Sequence, residues 1–347
     1  MNTLPDARDA TATRRPQLLA MINANWMTQA IAVAADLWIP DLLASGPLSV
    51  DLLADGCRCH VPSIRRLLRA LATLEVCSEL EDGRFALGPL GELLREDAPD
   101  SLRAWALFRA KQWPAWGQLG ASVRSGESYR KRTLGRDDFS YLDDDALAAA
   151  LFHRAMVDLT RGVSADLMRA FAFGATERIV DVGGGHGELI ATVLAAHPAM
   201  HGTLYDLAHA VAAAGSRLAE AGVADRCELA CGSFFDSVPE GSDIYLLKSV
   251  LHDWDDQHSA LILDNCRRAM SPQARLLVIE RIAPERLSPS ARDQALAAAD
   301  LNMLVSLGGR ERIEAEYVAL LEAAGLSVAR IVATAGAFSV IEAVVAD

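Results

Sequence analysis

A strand that ends in a glycine-rich bend is the first feature of this sequence that could do chemistry. Residues 178–182 run directly into Gly183-Gly184-Gly185-His186-Gly187, after which a helical pattern begins. Glycines at such a bend let the backbone pass close to a ligand in conformations that a Cβ atom would forbid. The next predicted strand ends in Asp206, whose carboxylate can accept hydrogen bonds from both hydroxyls of a ribose. This order of elements predicts a site for a nucleotide-type cofactor.

The pattern alone does not separate a nicotinamide dinucleotide from S-adenosylmethionine (SAM), but two details favour SAM. The glycines fall at alternate positions 183, 185 and 187 rather than in the GxGxxG spacing, and Glu188 stands where the helix begins. A dinucleotide must place its pyrophosphate at that helix N-terminus, where the carboxylate of Glu188 would repel it. SAM has no pyrophosphate. An ordinary structural turn would explain the glycines equally well.

His252 is the side chain best placed to exchange a proton near this site. It follows the predicted strand 243–248 by four residues, at the sheet edge where ligands bind in folds of this class. An imidazole with an ordinary pKa of about 6.5 is mostly neutral at pH 7, so it can accept a proton from a hydroxyl group. The position alone is equally compatible with a helix-entry residue, followed by acids that cap the next helix.

The remaining histidines that we considered are expected to have no chemical role. His186 lies within the glycine bend, where a positional role is expected. Five others lie on polar stretches and are expected to be solvated: His60, His153, His197, His201 and His258.

The elements that must position these residues change character near residue 173. Beyond it, short apolar strands alternate with helical patterns, which is typical of a parallel α/β sheet. Strands are predicted over residues 178–182, 202–206, 226–230, 243–248 and 275–281, with closing strands over 327–333 and 338–346. Residues 173–347 are therefore predicted to form the cofactor-binding domain.

Residues 1–100 have the pattern of a winged helix. Helices are predicted over residues 18–44, 48–53 and 62–74. The alternating segment 75–87 contains an Asp-Gly turn and predicts a hairpin after them. Trp26 and Trp38 place more apolar surface on the first helix than a small domain would bury, so we expect a homodimer formed through the N-terminal helices.

Residues 101–172 are predicted to be a mainly helical connecting region. Aromatic side chains are dense here, and those around Trp105, Phe108 and Phe152 suit the binding of a flat ring. The simpler interpretation is that most of them are core residues of a helical layer.

Composition narrows the possible partners. The chain has 347 residues, 51% of them hydrophobic, and a formal net charge of -13. Such a surface repels phosphate backbones and anionic membranes, so nucleic acid and membrane are not expected as partners. No apolar run approaches the length of a membrane span and the N-terminus lacks the pattern of a secretory signal, so we expect a cytoplasmic protein.

Five stretches give the chain a resemblance to the plant-type and bacterial small-molecule SAM-dependent O-methyltransferases. They are DVGGGHG (181–187), YDL (205–207), GSFF (232–235), LKSVLHDW (247–254) and GGRER (308–312). The resemblance spans nearly the whole chain. It implies a Rossmann-like α/β methyltransferase domain behind a winged-helix-like dimerisation domain, with residues 101–172 contributing to the substrate pocket.

The resemblance also implies which residues bind the cofactor. Gly183 and Gly185 would lie against the methionine part of SAM, and Lys248 beside it. Asp206, with Leu207, would bind the ribose. Ser233 and Phe234 would border the adenine. The family usually has Asp where Ser233 stands, and a serine hydroxyl can bond the adenine amino group only without charge assistance.

The same resemblance makes His252 the catalytic base. Glu280 and Glu311 correspond to the acids that flank this base in the family, although from the sequence alone either could be an ordinary surface acid. Residues that match the walls of the acceptor pocket are Phe152, Met156, Asp300, Asn302 and Met303. No metal is required by this scheme, and S-adenosylhomocysteine would be the second product.

The function expected from the sequence is methylation of a hydroxyl on a small aromatic secondary metabolite, such as a phenol, a phenazine or a polyketide. Two alternatives remain open. Some relatives of these enzymes bind SAM but catalyse hydroxylation, decarboxylation or pericyclic steps. A winged-helix regulator that senses SAM is the second alternative, and the acidic net charge argues against it.

Overall fold

The computed structural model describes residues 7–174 and 177–346. The described residues form two compact units, one ending at Lys111 and the other beginning at Gln112. Each unit has its own hydrophobic core.

The N-terminal unit consists of short helices and one hairpin. Its helices are α1 (Ala7–Ile22), α2 (Ala24–Asp36), α3 (Ile39–Leu43), α4 (Val50–Gly56), α5 (Val61–Ala72), α6 (Pro89–Glu92) and α7 (Arg103–Lys111). The hairpin joins β1 (Cys77–Glu79) to β2 (Phe85–Leu87), with Ser78 opposite Ala86. The predicted hairpin is therefore confirmed. Leu53, Leu68 and Phe85 are fully buried between the helices and the hairpin.

The prediction of one helix over residues 18–44 was wrong. The chain breaks after Ile22 and again at Trp38, which has a left-handed backbone with a φ of 57°. Pro40 then lies in the first turn of α3, where its missing N–H group is tolerated. The predicted helix is thus three consecutive helices in the structure.

An apolar surface remains exposed on α1 and α2. Trp26 is 67% exposed, and the exposed side chains around it are Leu18, Leu19, Met21, Ile22 and Met27. Among the described residues, no single helix is long and apolar enough to cross a membrane; the bent pair Arg14–Ile22 and Ala24–Asp36 reaches that length and composition only together.

The second unit begins with a helical layer and continues as an α/β domain. The helical layer contains α8 (Trp113–Trp116), α9 (Leu119–Ser125), α10 (Tyr129–Leu134) and α11 (Ala146–Ala170). The strands that follow are β3 (Arg178–Val182), β4 (His201–Asp206), β5 (Cys227–Cys231), β6 (Ile244–Lys248), β7 (Arg275–Glu280), β8 (Ile282–Ala283), β9 (Arg312–Ile313), β10 (Leu326–Ala333) and β11 (Ser339–Val345). The helices among them are α12 (Glu188–Ala196), α13 (Ala208–Glu220), α14 (Asp256–Ala269), α15 (Ala291–Ser306) and α16 (Glu314–Ala323).

Within the described ranges, the main sheet has seven strands in the order β10-β11-β7-β6-β3-β4-β5. Strands β3 to β7 are parallel, and β11 is antiparallel to both of its neighbours. The strand order reverses at β3, because the chain first builds outward through β4 and then crosses to β6. Ligands bind outside the carboxyl ends of the strands at such a point. This is the Rossmann-like α/β class that the sequence predicts.

Helices cover both faces of this sheet. Val180 and Tyr245 pack toward α14 and α16, whereas Ile179 and Leu246 pack toward α12 and α13. Successive residues of a strand thus pack into the cores on opposite faces of the sheet. Because both faces are buried, these strands are continuous apolar runs in the sequence. The polar residues at their carboxyl ends are left at one edge of the sheet.

Helix α11 carries several residues of interest, and a single aspartate caps it. The Asp145 Oδ1 atom accepts hydrogen bonds from the backbone N–H groups of Leu147 and Ala148, at 3.0 and 2.9 Å. The run of three acids Asp143–Asp145 therefore ends at the N-cap of α11.

We expect Asp145→Ala to lower the free energy of unfolding by about 1 kcal/mol, because two N–H groups of α11 lose their acceptor. Asp145→Ser should retain most of the stability, since serine is also an effective cap. Urea unfolding measures both, with Asp143→Ala as the control outside the cap position. Equal stability of Asp145→Ala and Asp143→Ala would contradict the capping role.

Candidate active site

The glycine bend after β3 leaves room for a ligand. Gly183 and Gly185 have left-handed backbones, with φ of 71° and 60°. A Cβ atom on Gly185 would meet nothing within 4 Å, whereas one on Gly183 would lie 3.4 Å from the ring of Phe234. The bend is therefore open at Gly185 and bordered by an aromatic ring at Gly183.

Asp206 joins the end of β4 to this bend. Its Oδ2 atom accepts a hydrogen bond from the Gly185 N–H at 2.7 Å, and its Oδ1 atom accepts one from the Leu207 N–H at 2.6 Å. Burial raises the pKa of Asp206, and the two N–H groups oppose that shift. Each oxygen retains a second lone pair that a ligand hydroxyl can use. Gly185, Asp206 and Leu207 are thus brought together.

A buried acid and a buried lysine lie at the ends of β3 and β6. Asp181 is 1% exposed, and burial raises its pKa to about 7 even though the positive charge of Lys248 opposes the shift. Among the described residues, the Asp181 Oδ2 atom has no hydrogen-bond partner. Burial lowers the pKa of Lys248 to about 8, and its Nζ atom donates to the Thr160 hydroxyl at 2.8 Å. An unpartnered buried carboxylate oxygen fits a ligand that carries an amine or another cation.

The loop after β5 contributes aromatic rings. Phe234 packs edge to face against Phe235 and Trp254, with centroid distances of 4.9 and 6.0 Å. The Ser233 hydroxyl accepts a hydrogen bond from the Phe235 N–H at 3.2 Å. The Ser233 hydroxyl is therefore engaged by a hydrogen bond within its own loop. Of Ser233 and Phe234, it is Phe234 that lies against the glycine bend.

His252 lies on a 3₁₀ turn, Leu251–Asp253, that follows β6. Its Nδ1 atom is 3.2 Å from the Glu280 Oε2 atom and 3.6 Å from the Glu311 Oε1 atom. Its Nε2 atom is 3.5 Å from the Asp253 Oδ1 atom. His252 is 7% exposed, Glu280 0% and Glu311 7%, so the three predicted catalytic residues form one buried cluster.

This cluster favours the protonated imidazole. Burial alone would lower the pKa of His252, but the negative charges of Glu280 and Asp253 outweigh burial and raise the pKa well above its ordinary value. Burial raises the pKa of Asp253 to about 7, although the charge of His252 opposes that shift. The ring therefore binds its proton more tightly than a solvated histidine does.

The two glutamates are themselves held in place. The Glu280 Oε1 atom accepts hydrogen bonds from the N–H groups of Val250 and His252, at 3.0 and 3.4 Å. The Glu311 N–H donates to the Asp300 Oδ1 atom at 2.9 Å, and the Arg281 Nη1 atom is 3.2 Å from the Glu311 Oε1 atom. Asp300 thus contacts the backbone of a cluster residue.

The same three side chains also form a potential metal-binding set. His252, Glu280 and Glu311 each offer a ligand atom, and these atoms lie within 4.8 Å of one another. One imidazole and two carboxylates suit several divalent metals. The geometry alone therefore permits either a proton-transfer site or a metal site.

The predicted pocket residues have varied surroundings. Phe152 contacts Phe139, with a centroid distance of 5.5 Å, and Met156 lies one turn further along α11. The Asn302 Oδ1 atom accepts a hydrogen bond from the Trp116 Nε1 atom at 3.2 Å, and Met303 is partly buried nearby on α15. Trp105 and Phe108 lie together on α7 of the N-terminal unit, with a centroid distance of 5.9 Å.

The expectation that His153 is solvated was wrong. His153 is 6% exposed, and its ring stacks on His186 at 4.4 Å between centroids. Its Nε2 atom is 3.0 Å from the Nδ1 atom of His209, in the first turn of α13. Burial lowers the pKa of His153 to about 3, so this ring is neutral at physiological pH. The residues before it, Leu151 and Phe152, are apolar, and α11 packs this face against His186 of the glycine bend.

Four further residues contact the site and were given no role from the sequence. Asp253 reaches the Nε2 atom of His252, and Thr160 holds Lys248. Asp181 is buried next to the glycine bend. Arg312 binds the backbone on both sides of His252. Asp181, Asp253 and Arg312 lie within the stretches that carry the family resemblance, whereas nothing in the sequence indicated a role for Thr160.

A Rossmann-like sheet with an open glycine bend, an acid on the next strand and a buried imidazole cluster defines the class of SAM-dependent methyltransferases. Residues 116–327 match the O-methyltransferase domain, and residues 19–97 match the O-methyltransferase dimerisation domain. The chain belongs to the O-methyltransferase family. The family and enzyme class predicted from the sequence are thereby confirmed.

Known proteins are similar to this chain over most of its length and most of their own. The phenazine O-methyltransferase of Lysobacter antibioticus is 39% identical over 327 residues, which are 94% of this chain and 95% of that protein. Aclacinomycin 10-hydroxylase of Streptomyces purpurascens is 35% identical over 310 residues, 86% of this chain and 81% of that protein. The structure of an O-methyltransferase from neocarzinostatin biosynthesis, in complex with SAM and 2-hydroxy-5-methyl naphthoic acid, aligns with a TM-score of 0.76 at 31% identity, covering 92% of this chain and 96% of that one.

We expect the pKa of His252 to fall in the variant Glu311→Gln, because a carboxylate that stabilises the imidazolium becomes neutral. Titration by ¹⁵N NMR measures this directly, with the resonance assigned by its loss in His252→Gln. The exposed Glu314, three residues away, provides the matched control Glu314→Gln. An unchanged His252 pKa in Glu311→Gln would contradict the contact.

Proposed function

We propose that this enzyme transfers the methyl group of SAM to a hydroxyl of a small aromatic secondary metabolite, with His252 as the general base and S-adenosylhomocysteine as the second product. The observation that carries the proposal is the buried imidazole between Glu280 and Glu311, at the same sheet edge as the glycine bend. Phenols, phenazines and polyketides are the acceptor classes that we favour, and methylation of a phenazine by a relative supports this choice.

The surroundings of the bend fit SAM. Gly183 and Gly185 would hold the methionine part, since the backbone there is open. Asp206, with Leu207, would bind the ribose, and Phe234 would lie against the adenine, with Ser233 beside it. Lys248 and the unpartnered carboxylate of Asp181 offer one donor and one acceptor for the charged groups of the cofactor. When bound, SAM supplies an electrophilic methyl group on a sulfonium cation.

Proton transfer is the task of the imidazole. With Glu280 and Glu311 at its Nδ1 atom, the Nε2 atom is the one that would take the proton from the acceptor hydroxyl. A phenol has a pKa of about 10 and is mostly protonated at pH 7, so a base assists its attack on the methyl group. The carboxylates also favour the protonated ring, so the base becomes available as the pH rises. Alignment of the acceptor contributes together with proton transfer.

The acceptor would lie against the partly buried side chains of α11 and α15, namely Phe152, Met156, Asn302 and Met303. Asp300 supports Glu311 through its backbone, so we assign it a role at the edge of this pocket. The acceptor contacts predicted from the sequence at Trp105 and Phe108 stay a prediction, made because aromatic rings suit a flat acceptor.

We infer that the chain forms a homodimer through its N-terminal helices in the cytoplasm. The match of residues 19–97 to a dimerisation domain and the exposed apolar surface around Trp26 both support this. Nucleic acid is not proposed as a partner, because the net charge of -13 opposes it.

A hydroxylation reaction is the second candidate, because a relative of 35% identity is a hydroxylase. The complete set of His252, Glu280 and Glu311 favours methyl transfer. The two candidates differ in stoichiometry, since only methyl transfer forms one S-adenosylhomocysteine for each product. A panel of phenolic acceptors with SAM, molecular oxygen and a thiol reductant, followed by mass spectrometry, separates transfer of one methyl group from insertion of one oxygen atom.

We expect His252→Ala to lower kcat by about 10²-fold or more, since the proton of the acceptor loses its base. Binding of SAM, measured by calorimetry, should stay within about twofold, because His252 lies on a different loop from the glycine bend. His258→Ala, an exposed histidine one turn into α14, is the control. A near wild-type rate for His252→Ala would refute the assignment of the base.

We propose that the reaction needs no metal ion, although the cluster has a suitable set of donor atoms. The Arg281 guanidinium beside Glu311 already balances the charge of that carboxylate, and backbone N–H groups already donate hydrogen bonds to Glu280. Dialysis against EDTA should leave kcat unchanged, and elemental analysis should find far less than one metal per chain. Loss of activity that Mg²⁺ or Zn²⁺ restores would contradict this.

A further inference from the structure

Arg312 is a buried cation for which neither the sequence nor the proposed function provides a role. It begins β9, pairs with Ile282 in the short parallel ladder with β8, and is 0% exposed. Burying a guanidinium is costly unless its donors are paired and its charge is compensated. The contacts of Arg312 therefore indicate its role.

Two of those contacts flank His252. The Arg312 Nη1 atom donates to the Leu251 carbonyl oxygen at 2.6 Å, and the Nη2 atom donates to the Trp254 carbonyl oxygen at 2.8 Å. Leu251 precedes His252 and Trp254 follows it by two residues. One planar group thus holds both ends of the 3₁₀ turn that carries the imidazole.

The other contacts anchor the guanidinium to α14. The Nε and Nη2 atoms donate to the Asp256 Oδ1 atom at 3.1 and 2.9 Å, and Nη2 also reaches the Ser259 hydroxyl at 3.2 Å. Asp256 supplies the compensating negative charge. The fixed fork of arginine can reach these separate acceptors at once, whereas a lysine ammonium is a single point of donation.

Two adjacent residues, Glu311 and Arg312, contact different parts of the His252 turn. Glu311 faces the Nδ1 atom of the ring at 3.6 Å, and Arg312 binds the backbone of the turn. Gly309 packs against the same backbone so closely that a Cβ atom there would overlap the His252 carbonyl oxygen. The segment 309–312 thus contacts the turn on its backbone and on its ring.

We propose that Arg312 is a positioning residue that sets the distance between the His252 ring and the carboxylates of Glu280 and Glu311. This inference rests on the proposed role of His252 as the base. Arg312 does not touch the imidazole, so its effect on catalysis passes through the backbone of the turn. Loss of the guanidinium lets the ring move relative to acids whose attraction for the imidazolium weakens as the distance grows.

The test compares Arg312→Gln with Arg310→Gln. Arg310 also binds Asp256, at 3.0 Å, but its hydrogen bonds go to the side chains of Asp256 and Glu316 rather than to the His252 turn. Steady-state kinetics, SAM binding by calorimetry and the NMR titration of His252 are measured on the full-length protein. Circular dichroism and thermal melting establish that each variant is folded.

We expect Arg312→Gln to lower kcat by about 10²-fold, the scale of a 1 Å misplacement, with SAM affinity within about twofold of wild type. The pKa of His252 should move toward its ordinary value of about 6.5. Arg312→Lys should be intermediate, and Arg310→Gln should behave as wild type. If Arg312→Gln does not fold, Arg312→Lys decides by the same three measurements.

An unchanged kcat and His252 titration in a folded Arg312 variant would overturn the proposal, as would equal losses in the Arg310 and Arg312 variants. The base assignment fails separately, through high activity of His252→Ala. The NMR titration does not depend on activity, so it still tests the positioning role in that case.

Discussion

The contact between the His252 ring and the buried carboxylate of Glu280 is the interaction on which the site depends. Three acids and one imidazole lie within a few ångströms of one another where water is largely excluded. Such a group of buried charges is stable only when every partner is present, because removing one side chain leaves the charge of another buried and uncompensated. Arg281 and the N–H groups of the turn complete this set, which explains why so many hydrogen bonds converge on so few residues.

The topology of the sheet brings the proposed base and the proposed cofactor site together. Strands β3 and β6 are direct neighbours, so the glycine bend that follows one and the turn that follows the other emerge at the same edge. The next strand, β7, ends at Glu280, and the β8–β9 ladder returns Glu311 to that point. The order of the strands thus brings residues that are far apart in sequence into one cluster.

Elements with a strong local signal were predictable from the sequence. The bounds of β3 match the prediction, because an apolar run before glycines has few alternatives. The break at Trp38 was missed, since apolar spacing reports which face is buried and not where the backbone turns. His153 was misjudged and Arg312 was overlooked for one reason. Their burial comes from packing against segments distant in sequence, which a local pattern of polar and apolar residues does not report.

The place of β11 constrains how the chain can mature on the ribosome. Residues 339–345 follow every other described strand in sequence, yet they lie between β7 and β10 rather than at the rim of the sheet. Until they are synthesised, β7 has an open edge along the whole strand that ends in Glu280. A nascent chain that has not yet reached β11 therefore exposes a template for unwanted pairing. The order in which the strands emerge thus delays the covering of the strand that carries Glu280.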